Sequence, residues 1–148
     1  MKKLLLIAAL AAIAPLQAAP SATPLQSALD KYIQIQTALA GDSLKGVAAA
    51  AAEMASIAKA SDGVVPGAVA VKAEALAKTT DIRAAREAFK PLSAALITAL
   101  SAQKVQPGQY FEAFCPMANA SWIQAGKKIA NPYFGASMSG CGEIRKPL

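Results

Sequence analysis

Apolar residues recur at helical spacing through the first two thirds of the chain. Leu25, Leu29, Tyr32, Ile33 and Leu39 form a stripe with a period near 3.6 residues. Thr23-Pro24-Leu25-Gln26 supplies a capping box with proline at the first helical position. Gly41 ends this helix, and Asp42 or Ser43 caps a second, whose buried face runs through Val47, Ala50, Met54 and Ile57. The alanine run Ala48–Ala52 combines high helix propensity with small volume, so neighbouring helices can approach closely. Asp62-Gly63 and Pro66-Gly67 punctuate the chain before a third helix over Ala68–Lys78. Asp81 caps a fourth, which reaches about Lys104 and sets Ile82, Ala85, Phe89, Leu92, Leu96 and Leu100 on one face. Pro91 lies inside it, removes one backbone donor and predicts a bend near Lys90.

No β-type alternation stands out before residue 105, and after Pro107-Gly108 the composition changes. Aromatics, Gly, Pro and Asn concentrate there, and only Ser121–Lys128 has a helical pattern, with Asn119 or Ser121 as its cap. The expectation is an all-α fold, an antiparallel helical bundle over 24–104 with an irregular C-terminal cap over 105–148. Trp122, Tyr133 and Phe134 make that cap a packed element and not a linker.

Residues 1–18 read as a secretory signal. Lys2 and Lys3 precede the apolar run Leu4–Ala14, Pro15 breaks it, and Ala18 offers a small residue for cleavage. The run is shorter than the roughly 20 apolar residues that cross a bilayer. Residues 19–148 then form one domain, expected in the periplasm, with no membrane insertion after cleavage. The net charge of +6 is spread among carboxylates. It reads as a mildly basic solvated surface, with no nucleic-acid partner.

The chain has no histidine. That removes His-based triads, the HExxH zinc site and the ordinary imidazole base, and the expectation is a protein that is not an enzyme. Both cysteines and two of the four methionines lie in the cap, as Cys115-Pro116-Met117 and Met138-Ser139-Gly140-Cys141. Thioethers are soft, uncharged and never protonated, so Cys115, Met117, Met138 and Cys141 form a candidate Cu(I) or Ag(I) site. Zinc fits less well, since only two of the four are ligands it favours. A Cys115–Cys141 disulfide is the alternative. It would close a loop of about 26 residues and stabilise the fold by roughly 3–4 kcal/mol on the chain-entropy account. Met117 and Met138 would then be packing sulfur on Trp122 or Tyr133. Trp122 itself reads as core, and Asn131-Pro132-Tyr133 as a turn with Asn131 bonded to nearby backbone. Gly135, Gly140 and Gly142 admit positive φ or close backbone approach.

Four stretches, "REAFKPLSAAL" (86–96), "FCPMANASWIQ" (114–124), "IANPYFG" (129–135) and "MSGCGE" (138–143), carry a resemblance. The chain resembles a bacterial periplasmic helical domain of undetermined function, found alone or fused to membrane-fusion subunits of copper- and silver-efflux pumps. The resemblance implies an exported, heavy-metal-related domain with Cys115, Met117, Met138 and Cys141 gathered for metal, and an efflux or other envelope protein as partner. Two functions follow as expectations: a soft-metal accessory protein, or a disulfide-stapled interaction module without metal.

Overall fold

A computed structural model describes residues 22–103 and 109–148. The segment read as a signal, 1–18, lies outside the described residues, as does most of the junction between bundle and cap. Four helices come first: α1 (Pro24–Ala40), α2 (Val47–Lys59), α3 (Gly67–Ala77) and α4 (Ile82–Ala102). Thr23 caps α1, its Oγ1 accepting the Gln26 N–H at 3.2 Å. The Gln26 side chain does not return the bond. It donates instead to Asp30 at 2.8 Å and to the Tyr110 hydroxyl at 3.1 Å. Asp81 caps α4 through the Ala84 N–H at 2.9 Å, and α4 runs unbroken through Pro91. The buried faces follow the expected stripes, with Ile33, Ile57 and Ile82 half-buried at their margins.

One helix start differs. α2 begins after Gly46, whose φ of 79° makes the turn, and neither Asp42 nor Ser43 caps it. Ser43 Oγ accepts the Lys45 N–H in the preceding turn, while Asp42 is engaged across the molecule.

The expected all-α class is wrong: the fold is mixed. Strands β1 (Tyr110–Cys115), β2 (Ala120–Ala125) and β3 (Glu143–Pro147) form an antiparallel sheet in the order β2-β1-β3. β1 pairs with β2 from Tyr110 opposite Ala125 to Cys115 opposite Ala120. β1 pairs with β3 from Phe111 opposite Pro147 to Phe114 opposite Glu143, with a bulge between Glu112 and Ala113. Ser121–Lys128 is therefore strand and turn, not helix. Trp122 and Ile123 favour a pleated surface, and β1 offers them a ladder partner that a local helical pattern does not reveal. Asn119 is not a helix cap; it sits at φ 47° in the turn between β1 and β2, a conformation asparagine tolerates.

β1 is a regular strand in disguise. Phe111, Ala113 and Cys115 point to the core and are buried, while Tyr110, Glu112 and Phe114 face the other way and are half-buried. Two aromatics on the outer face hide the apolar–polar alternation. β3, with Arg145, Lys146 and Pro147, is an edge strand guarded by charge and proline.

One hydrophobic cluster runs through both layers, from Leu29, Phe89 and Leu92 of the helices to Ala113, Trp122 and Ile123 of the sheet. The joint is polar as well as apolar. The Tyr32 hydroxyl lies 2.6 Å from Ser93 Oγ and accepts the Ile123 N–H at 3.1 Å, tying α1, α4 and β2 together. The Tyr32 ring stacks on Phe89 at 4.8 Å, and the Trp122 ring meets Tyr133 edge-on at 5.9 Å. Trp122 is fully buried, as its core reading required.

Candidate functional site

Cys115 closes β1, and Cys141 lies two residues before β3. Because β1 and β3 are neighbours, the pairing that ends at Phe114 and Glu143 carries the two cysteines together. Their Sγ atoms stand 3.0 Å apart as free thiols, Cys115 buried and Cys141 half-buried. Gly142 makes this approach feasible. Its φ is 139°, and a Cβ there would lie 2.7 Å from Trp122 Cη2 and 3.0 Å from the Phe114 carbonyl oxygen. Gly140, in contrast, has open space around it and no positive φ.

The two thiols are electrostatically unlike. Burial pushes Cys115 up, but the hydrogen bonds aimed at it prevail and hold it below the usual thiol range. They come from the Cys141 thiol, the Ala118 N–H, the Asn131 side chain and the Met117 N–H. Cys141 is pushed up, first because its hydrogen is held by Cys115 and then by burial. Of the two sulfurs, Cys115 is therefore the more acidic.

Both methionines adjoin the pair through their backbone. Met117 lies in the turn after β1, and its N–H faces both sulfurs. Met138 ends the short 3-10 helix Gly135–Met138, and its carbonyl accepts the Cys141 N–H at 3.0 Å. All four candidate residues thus come to one end of the sheet. Met117 is 67% exposed and Met138 37% exposed. Among the described residues the other large exposed apolar side chains are Val64 and Val71, on the far side of the sequence.

The segment from Gly126 to Gly142 has little regular structure, and polar contacts fix it in place. Gln124 does much of this. Its Oε1 accepts from Trp122 Nε1 at 3.0 Å and from the Ala130 N–H at 3.2 Å, and its Nε2 donates to the Gly126 and Lys128 carbonyls. Asn131 is buried and bonds nearby backbone as expected. Oδ1 accepts the Tyr133 N–H at 2.8 Å, and Nδ2 donates to the Cys141 carbonyl at 2.7 Å. Tyr133 OH donates to the Ser121 carbonyl at 2.5 Å, and burial raises its pKa far above the tyrosine norm. Pro132, also buried, presents its carbonyl to Arg86.

Arg86 was not singled out by the sequence and is central here. Nε donates to the Pro132 carbonyl at 2.9 Å, and Nη2 to the Leu39 carbonyl at 2.9 Å and to Asp42 Oδ1 at 2.5 Å. Asp42 Oδ2 accepts the Ala136 N–H at 2.8 Å, so the 3-10 helix bearing Met138 is moored to α1 and α4. Hydrogen bonding from Arg86, and then from Ala136, lowers the Asp42 carboxyl below its ordinary range. Gly135, at φ 55°, lies against this ion pair, where a Cβ would overlap Asp42 and Arg86. The one clue in the sequence is Asp42 after Gly41, a turn aspartate that takes φ 54° and so need not cap.

Two chemistries suit the sulfur pair. A disulfide needs the sulfurs to close to about 2.05 Å. An ion held by metal–sulfur bonds of about 2.3 Å needs them to open, to about 4.0 Å for trigonal and about 4.6 Å for linear coordination. Either state lies within about 1–1.6 Å of sulfur movement, and Cys141, half-buried, is the less enclosed of the two residues. Among the described residues no three His, Cys, Asp or Glu side chains gather to hold an ion, so a third or fourth ligand here would have to be a thioether.

Comparison with known proteins gives a family match. The profile of a protein family of unknown function, DUF3347, matches residues 28–108. That span covers most of α1, all of α2 to α4 and the stretch 86–96, and it ends before β1, so the Cys/Met segment lies beyond it. No curated protein and no solved structure matches the chain. With more than half of its 148 residues matched, the chain belongs to the DUF3347 family of proteins of unknown function.

Proposed function

We propose that this protein is an exported soft-metal accessory protein. It holds Cu(I) or Ag(I) with Cys115 and Cys141 as thiolates and Met117 and Met138 as thioethers. One observation carries the reading: two methionines stand exposed beside a converged thiol pair. Exposed thioether surface has no packing role, and a disulfide alone gives it none. A soft monovalent ion does, because it accepts neutral sulfur ligands and prefers few of them. Cys115 supplies a sulfur already biased toward thiolate, and Cys141 yields its proton on binding.

The reading of residues 1–18 as a signal places this activity in the periplasm. There an exposed ion rim suits a buffer or a hand-off partner for an efflux or other envelope protein. Transfer proceeds by ligand exchange, the thioethers leaving first as the weaker ligands. The competing function is a stapled interaction module, favoured by the 3.0 Å approach of the sulfurs. The two are states of one site: the oxidised pair has no thiolate to offer and releases the ion.

Titration of the reduced protein with Cu(I) against a competing chelator decides between them. One ion bound per chain, with affinity reduced at least tenfold in both Met117→Leu and Met138→Leu, supports the reading. Parent-like affinity in both variants overturns the role of the thioethers, and no binding by the reduced parent overturns the metal site.

A further inference from the structure

The two cysteines differ in more than acidity. Cys115 is sealed beneath the sheet, whereas Cys141 opens onto a cavity of about 350 Å³ lined by Phe114, Pro116, Gly142, Glu143 and Arg145. The Arg145 guanidinium is held over this cavity, 4.1 Å from the Phe114 ring centroid, with Glu143 3.4 Å from its Nε. A reagent entering the cavity meets one sulfur and one half-exposed cation, itself paired with Glu143.

We propose that Cys141 is a thiol–disulfide exchange site for small, carboxylate-bearing disulfides and thiols, and that Cys115 is its resolving partner. This goes beyond metal binding and requires none. The steps start from the free thiols. Cys141 Sγ attacks one sulfur of a disulfide RSSR. The RS–SR bond breaks, and the departing RS⁻ takes the Cys141 proton and leaves as RSH. Cys115, 3.0 Å away, then attacks the Cys141 sulfur of the mixed disulfide. The second RS⁻ leaves and takes the Cys115 proton as the Cys115–Cys141 bond forms. The protein loses two electrons, and RSSR is reduced to two RSH. The reverse sequence, driven by excess thiol, enters at Cys141 again and restores the pair. Arg145 attracts the carboxylate of R and so favours glutathione-like compounds over neutral ones.

The experiment uses the full chain, glutathione disulfide, and the neutral 2-hydroxyethyl disulfide. Cys115→Ser, which keeps only Cys141, is expected to accumulate one glutathione adduct mapped to Cys141. Cys141→Ser is expected to stay unmodified until denaturant exposes Cys115. Arg145→Glu is expected to slow the glutathione reaction about tenfold, a modest electrostatic steering effect, and to leave the neutral reaction unchanged. Equal reaction of Cys115 in the folded protein overturns the assignment of the entry sulfur. An equal effect of Arg145→Glu on both reagents overturns the carboxylate preference. No metal enters these assays, so failure of the Cu(I) titration leaves them unaffected.

Discussion

Gly142→Ala places the sharpest demand on the site. Gly142 has φ 139°, a region that side-chain-bearing residues rarely adopt, and strain of this kind costs about 1–3 kcal/mol. The new methyl would lie 2.7 Å from Trp122 Cη2 and 3.0 Å from the Phe114 carbonyl oxygen, both inside van der Waals contact. Trp122 is fully buried and its Nε1 is committed to Gln124, so it cannot turn away. Overpacking of that kind adds about 1–3 kcal/mol. The expected destabilisation is about 2–6 kcal/mol, read as a lowered urea midpoint with an unchanged slope. If the chain relieves the clash by moving β3 away from β1, the thiols separate and Cys115–Cys141 disulfide formation slows. Gly140→Ala is the internal control: with no neighbour near its Cβ and no positive φ, it should change stability by less than about 0.5 kcal/mol. Equal stability of the two variants would refute the claim that close backbone approach at residue 142 builds the site.

Further expectations concern how the cap is moored. Arg86→Met removes three hydrogen bonds and strands the Pro132 and Leu39 carbonyls, and should cost about 2–3 kcal/mol in chemical denaturation. Arg86→Lys should recover only part of that loss, because an ammonium cannot reproduce the fork. Tyr32→Phe leaves the Ile123 N–H without a partner in the core and should cost about 1–3 kcal/mol, measured as a lowered midpoint. Asp42→Asn tests the pH dependence. The folded carboxyl is lowered, so its contribution is complete above the unfolded value of about 3.9 and is lost as pH falls through the folded value. The stability gap between parent and Asp42→Asn should therefore hold steady from about pH 5 to 8 and shrink as pH falls below the unfolded value. A gap that persists in acid would show that the Asp42 charge does not moor the cap.

Much of the helical layer was legible because its signals are local. Thr23, Asp81, Gly41 and the stripe from Ala85 to Leu100 each act within a few residues of chain. Pro91 misleads less than it suggests, since it removes one donor from a helix that the buried Phe89 and Leu92 already anchor. The sheet was illegible for the opposite reason. β1 alternates only if Ala113 and Cys115 count as inward residues and Phe114 as outward, and its partners lie 5 to 36 residues away. Ser121 looked like a cap because nothing local shows that its carbonyl is taken by Tyr133. The site divides likewise. Cys115, Cys141, Met117 and Met138 announced themselves by their chemistry. Arg86, Asp42, Gln124 and Tyr32, which hold them in place, are ordinary surface or core residues until the chain is folded.

X-ray absorption at the copper edge, on reduced protein carrying one equivalent of Cu(I), addresses the sulfur site most directly. The expected first shell is three or four sulfur atoms at about 2.3 Å, falling by one in Met117→Leu or Met138→Leu. Two sulfur atoms or fewer, unchanged by either substitution, would contradict a centre completed by thioethers.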